Sequence, residues 1–166
     1  MLTLITGGAR SGKSAYAESR CLALSGVPQY IATAEAGDAE MATRIAAHRA
    51  RRGPPWQDLE APIDLVGALD LTDGRGPRLV DCLTLWLSNL MFAGRDWRAE
   101  AQALCAALAR QTSPVIFVSN EVGMGIVPDN ELAREFRDAA GALNQTIARV
   151  AGEVEFVVSG LPLKVK

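Results

Sequence analysis

The chain is short of lysine, histidine and cysteine, and each shortage narrows the reading. Lysine occurs only at Lys13, Lys164 and Lys166, against fourteen arginines. A bias of that kind reflects base composition of the coding DNA, but it leaves Lys13 alone in the first 163 residues. Cysteine is limited to Cys21, Cys82 and Cys105, an odd count without C-x-x-C spacing. That excludes a disulfide framework and implies a reducing, cytoplasmic setting. Positive charge is not in excess either: the formal net charge of −2 argues against a basic nucleic-acid binder. No apolar stretch approaches the roughly 20 residues that span a bilayer. The opening MLTLITGG has too short an apolar run for a signal peptide and lacks a basic flank. What remains is a chain of 166 residues, 49% apolar and 22% charged, which fits a single globular domain over 1–166 with its own core.

Short buried runs alternate with amphipathic ones. LTLIT (2–6), QYIATA (29–34), RLVD (78–81), PVIFVS (114–119) and EVEFVVSG (153–160) read as strands, with WQDLE (56–60) as a short extended piece. Helices are expected over 13–25, from Asp38 to about Arg52, from Asp64 to about Leu71, from Leu83 onward, over 96–111 and over 129–150. LPLKVK at the end is a candidate edge partner for the last long strand. This order implies an α/β fold with a mostly parallel sheet and helices on both faces. Trp86, Leu90 and Met91 recur at helical spacing and are expected in the core, with an oligomer surface or a platform for a large substrate as the minority alternative.

GGARSGKS, residues 7–14, matches G-x-x-x-x-G-K-[ST]. The pattern alone is weak; here a predicted strand runs into it and a predicted helix starts at its end. Gly7, Gly8 and Gly12 let backbone N–H groups curl around phosphate oxygens. The following helix N-terminus adds partial positive charge. Lys13 then reaches the β- and γ-phosphates, and the Ser14 hydroxyl ligates Mg²⁺. Asp81, closing RLVD, suits the acidic partner of that metal; its alternative is to cap the helix that follows. The loop predicts nucleoside triphosphate binding. A switch GTPase is disfavoured, because no lysine follows an asparagine to form N-K-x-D, and the D-x-x-G matches at Asp73–Gly76 and Asp138–Gly141 fall in a turn and a helix.

The one histidine, His48, stands among Arg44, Arg49, Arg51 and Arg52. A structural histidine there would be ordinary. Clustered arginines, however, bind phosphate and depress a neighbouring imidazole's pKa, leaving a ring nitrogen free as nucleophile. Attack on an α-phosphorus would give a phosphoramidate and release pyrophosphate. Asn120 and Glu121 end a strand where ligands collect in open α/β sheets, with strand-end capping as the alternative. VGMGIVP (122–128) reads as a lid, a substrate-contacting surface or a packed loop.

Four stretches, GGARSGKS, YIATAEAGDAEMATRIAAHRARR, NEVGMGIVPDNELAREFRDAAGALNQ and VVSGLPLKVK, resemble the adenosylcobinamide kinase / adenosylcobinamide-phosphate guanylyltransferase family in order and spacing over essentially the whole chain. The resemblance implies a bifunctional enzyme of cobalamin biosynthesis. It would phosphorylate adenosylcobinamide with ATP or GTP, then transfer GMP from GTP to the product. It places the guanylylated residue at His48, and the nucleotide site along Gly7, Gly8, Ala9, Arg10, Ser11, Gly12, Lys13, Ser14, Ala32, Thr33, Ala34, Arg49, Ala50, Arg51, Arg52, Glu60 and Asp81. It also implies Mg²⁺ as cofactor and a homo-oligomer, commonly a trimer. Two other classes stay open on the residues alone: a plain P-loop kinase with a structural His48, and a non-catalytic nucleotide-binding regulator.

Overall fold

A computed structural model of the chain describes residues 1–35, 43, 46–47, 49–50 and 52–166. Seven strands form one sheet: β1 (Leu2–Gly7), β2 (Gln29–Ala32), β3 (Gln57–Glu60), β4 (Arg78–Asp81), β5 (Val115–Asn120), β6 (Glu153–Val158) and β7 (Leu161–Lys164). Their order is β3-β2-β4-β5-β1-β6-β7, parallel except for the antiparallel β6–β7 pair. The expected parallel α/β sheet is therefore observed, and the C-terminal tail is its edge strand.

The central strands are apolar on both sides because both sides are covered. Ile5, Tyr30, Leu79, Ile116 and Val118 face helix α1 (Lys13–Leu22), packing with its Ala17 and Cys21. Leu4, Ile31, Val80, Val115 and Phe117 point to the other side. There they meet α2 (Leu65–Thr72), α3 (Leu83–Phe92), α4 (Trp97–Leu108) and α5 (Glu131–Val150). Trp86 and Leu90 are fully buried in this larger core, as their spacing predicts. The Trp86 indole also donates to the Ile63 carbonyl at 2.8 Å, so its one polar atom is satisfied.

Helix starts follow local chemistry. The Asp64 carboxylate accepts from Gly67 N at 2.8 Å, Asp96 from Arg98 N and Ala99 N, and Asn130 from Ala133 N. The cap of α5 is thus Asn130, and the helix runs within the expected 129–150 segment. The 29–34 strand run is also shorter than expected and ends at Ala32. Asp81 does not cap α3: the capping position is Cys82, without a side-chain hydrogen bond.

Two polar clusters pin α1 and the back of the sheet. On β6, buried Glu155 accepts from the Tyr16 hydroxyl at 2.9 Å and from Arg20 at 2.8 Å, while Arg20 reaches Glu153 at 2.7 Å. This fastens α1, and the loop preceding it, to the strand beside β1. At the N-terminal end of β4, Arg78 is completely buried and pairs with Asp73 at 3.0 Å. The D-x-x-G beginning at Asp73 is thus a structural turn.

Candidate active site

The parallel strands bring their C-terminal ends to one edge, and the loop 7–14 leaves β1 there. Gly7 lies opposite Asn120 of β5, Asp81 of β4 opposite Val118 of β5, and Ala32 of β2 opposite Asp81. Residues widely separated in sequence therefore share one rim.

The loop is tied at both ends. Glu121 N donates to Gly7 O at 3.0 Å, and Gly160 N donates to Ser11 O at 2.8 Å. The second tie comes from the β6–β7 turn, where Ser159 (φ 52°) and Gly160 (φ 82°) form the left-handed pair that a two-residue hairpin needs. Gly12 has φ 91°, and a Cβ there would lie 3.1 Å from Gly160 Cα. Gly12→Ala is therefore expected to cost about 1–2 kcal/mol of stability for the left-handed backbone. It should also push the loop off the hairpin and weaken nucleotide binding, which thermal unfolding and titration with a GTP analogue would measure.

Helix α1 starts at Gly12 with no side-chain cap and no acid in its first turn. Its first N–H groups have no intrahelical acceptors, so an anion is the natural partner. The Ser11 hydroxyl is buried without a hydrogen-bond partner, one more donor at the loop. Lys13 is buried and donates from Nζ to Gly8 O at 3.1 Å, folding the ammonium back across its own loop. Burial lowers the Lys13 pKa, and the neighbouring Cys82 and Asp81 act against that shift.

Asp81 accepts the Tyr30 hydroxyl at 3.0 Å. Its strand end is held by Thr33, whose hydroxyl donates to Cys82 O and accepts from Cys82 N, both at 2.7 Å. Thr33 O in turn accepts from Asn89 of α3. Burial, and then Asp81, push the Cys82 thiol up to about 11, so it is no nucleophile at neutral pH. Hydroxyl and carboxylate are hard oxygen donors of the kind Mg²⁺ takes, and one carboxylate plus substrate phosphates is its usual complement. Ser14 and Asp81 thus fit that ion. No cluster of three or more His, Cys, Asp or Glu among the described residues offers a protein-only metal cage.

Of the other expected site residues, Arg49, Arg52 and Glu60 lie to one side. His48, Arg44 and Arg51 fall outside the described residues, and so does Asp38, the expected start of their helix; residues 43, 46, 47, 49, 50 and 52 are helical. Arg49 pairs with Asp58 at 3.0 Å and Glu60 at 3.4 Å, and Arg52 pairs with Asp58 at 3.0 Å. These arginines dock on β3, at the sheet's edge, and Glu60 meets Arg49 there. A groove of about 350 Å³ lined by Arg49, Arg52, Trp56 and Asp58 marks the same place. Asn120 is fixed through its backbone, N–H to the Thr84 hydroxyl at 2.7 Å and carbonyl to Asn144. Ser119 completes that knot with a 2.6 Å bond to Asn144, an arrangement the sequence did not disclose. Beyond Glu121, Met124, Ile126 and Val127 are exposed, Ile126 almost wholly, so the packed-loop alternative does not hold.

Residues 3–165 match the cobinamide kinase / cobinamide phosphate guanyltransferase family. The chain belongs to that family. It is 49% identical to the bifunctional adenosylcobalamin biosynthesis protein CobP of Pseudomonas aeruginosa, over all of this chain and 98% of the relative. It is 43% identical to the bifunctional adenosylcobalamin biosynthesis proteins CobU of Salmonella typhimurium and Escherichia coli, over the full length of each. Among the described residues no helix is long and apolar enough to cross a membrane.

Proposed function

We propose that this chain phosphorylates adenosylcobinamide, and then transfers GMP from GTP to the resulting phosphate, with GMP carried on His48. The family's two activities, cobinamide kinase and cobinamide phosphate guanylyltransferase, are those of this chain. The observation that carries the chemistry is the phosphate loop, tied down at Gly7 and Ser11, with Lys13 and Asp81 on the same rim.

In the first step the substrate hydroxyl oxygen bonds to the γ-phosphorus of ATP or GTP. The bond to the β–γ bridging oxygen breaks, the nucleoside diphosphate leaves, and the hydroxyl proton is lost. Loop N–H groups and Lys13 hold the oxygens on which charge builds. In the second step a neutral His48 ring nitrogen bonds to the GTP α-phosphorus and pyrophosphate leaves. A phosphate oxygen of adenosylcobinamide phosphate then takes the GMP, breaking the N–P bond and returning the imidazole. Mg²⁺ held by Ser14 and Asp81 would neutralise triphosphate charge in both steps. Arg49, Arg51 and Arg52 supply positive charge around His48. For Arg49 and Arg52 to touch phosphate, their pairs with Asp58 and Glu60 must open. Substrate binding belongs beside the exposed apolar loop 122–128, and assembly into a homo-oligomer is part of the same reading.

The test is incubation with Mg²⁺ and GTP labelled at the α-phosphorus, then denaturation. Acid-labile, alkali-stable label on the protein is expected, as for a phosphoramidate. GTP-binding protein that takes up no label would remove the covalent step and leave a kinase.

A further inference from the structure

Tyr30 is a buried tyrosine that no part of the chemistry above uses. It sits two residues before the end of β2, facing α1, with its ring among Ile5, Ala17, Cys21 and Leu79. Its hydroxyl donates to Asp81 Oδ2 at 3.0 Å. A carboxylate only accepts, so the phenol hydroxyl is the donor of this pair. The ring is held from the other side. The Arg52 guanidinium carbon lies 3.3 Å from its centroid, and Trp56 meets it edge-on at 5.9 Å. Arg52 is itself fastened to Asp58, and its side chain is only 5% exposed. An unbroken series of contacts therefore runs from Asp58 through Arg52 and Tyr30 to the carboxylate on the nucleotide rim.

Resting on the nucleotide reading above, we propose that Tyr30 is a positioning residue, whose hydroxyl orients the Asp81 carboxylate for Mg²⁺–nucleotide and whose ring is set by Arg52. A carboxylate at a strand end has a broad, soft terminal torsion, and a hydrogen bond to one oxygen is what fixes its plane. With Oδ2 held, the other oxygen is presented in one orientation to the metal's shell. Such outer partners of a ligating carboxylate tune metal affinity without touching the metal. Arg52 adds a second consequence. It is in the segment that carries His48, so the orientation of Asp81 depends on whether that segment is docked on β3. Sequence alone gives no hint of this, because Tyr30 reads as one more apolar strand residue.

The test uses the full-length protein and a non-hydrolysable GTP analogue, titrated at a series of Mg²⁺ concentrations and also with Mn²⁺. Tyr30→Phe removes the hydroxyl and keeps the ring, so the stacking with Arg52 and Trp56 is retained. The Mg²⁺ concentration giving half-maximal analogue binding is expected to rise about tenfold. Binding without metal should be unchanged, and kinase kcat should recover at saturating Mg²⁺. Arg52→Lys keeps a cation near the ring but loses the planar stack, so a smaller shift in the same direction is expected. An unaltered Mg²⁺ requirement in Tyr30→Phe, with or without a fall in Tm, would overturn the proposal and return Tyr30 to a packing role. If the unmutated protein failed to bind the analogue at all, the nucleotide reading itself would fall, which is a different result.

Discussion

In a protein with Lys13 replaced by alanine, cobinamide phosphorylation and GMP transfer are both expected to fall by about a hundred- to a thousandfold, the usual consequence of deleting one preorganised donor to developing charge. In His48→Asn the two should separate: no GMP adduct and no guanylyl transfer, but phosphorylation at the unaltered rate. Lys13 is on the loop proposed to hold triphosphate, whichever phosphorus is attacked, and its ammonium is already gathered over that loop by Gly8 O. His48 matters only when a nitrogen must accept GMP. Lys13→Arg is not expected to rescue, because the side chain is buried and a planar fork does not fit where a compact ammonium does. Parallel assays with γ-labelled ATP and α-labelled GTP decide the matter. A Lys13→Ala protein that kept either activity would show that a second phosphate-binding locus serves that step.

Much of this was legible from residues because the relevant signals are local. A strand running into GGARSGKS and a helix leaving it needed nothing beyond β-branched and apolar runs and three glycines, and β1, the loop and α1 lie where the pattern puts them. RLVD became β4 without adjustment, which placed Asp81 at a strand end. The metal and capping readings of Asp81 could not be separated in sequence, since both ask for an acid before an apolar helix. The structure removes the cap, and the hydrogen bond from Tyr30 shows what the carboxylate meets instead.

What was hidden is non-local. Arg49 and Arg52 read in sequence as members of a positive cluster around His48. Asp58 and Glu60 are six to eleven residues on, along the edge strand β3, and they engage that charge. The brace of the phosphate loop by Gly160 joins positions about 150 residues apart, and only a complete sheet brings them together. Periodicity identifies which face is apolar; it does not say which polar atoms end up opposite one another. The knot of Thr84, Ser119 and Asn144 behind Asn120 is of the same kind.

The largest stability effect is expected far from this rim, at Arg78. It begins β4 with its side chain fully buried, an environment arginine almost never enters unless it is paired. Its guanidinium donates to Leu69 O at 3.1 Å, Gln111 Oε1 at 2.8 Å and Ser113 O at 2.6 Å, and pairs with Asp73 at 3.0 Å. One side chain thereby joins the end of α2, the turn after it and the connection into β5. Methionine of similar length would fill the space and satisfy none of these acceptors, so Arg78→Met should cost about 3–5 kcal/mol. That is a large share of the 5–15 kcal/mol typical of a domain, and it corresponds to a fall in Tm on the order of 10 °C. Asp73 gives the effect a pH signature. Burial opposes its ionisation, but the Ser113 and Thr112 amides, the Thr112 hydroxyl and Arg78 outweigh that and hold its pKa at about 2, below the ordinary 3.8. A carboxylate depressed in the folded state stabilises fully above its unfolded pKa and loses that contribution as pH falls through the folded value. Roughly 2 kcal/mol should therefore disappear between about pH 4 and pH 2 in the unmutated protein. In Arg78→Met the acid-dependent loss should be smaller, since part of what depresses Asp73 has gone. Denaturant melts of both proteins across that range test the claim, and equal acid slopes would sink it. Nucleotide binding at a temperature where Arg78→Met is still folded should be intact, because Arg78 starts the strand that Asp81 ends, at the opposite edge of the sheet from the phosphate loop.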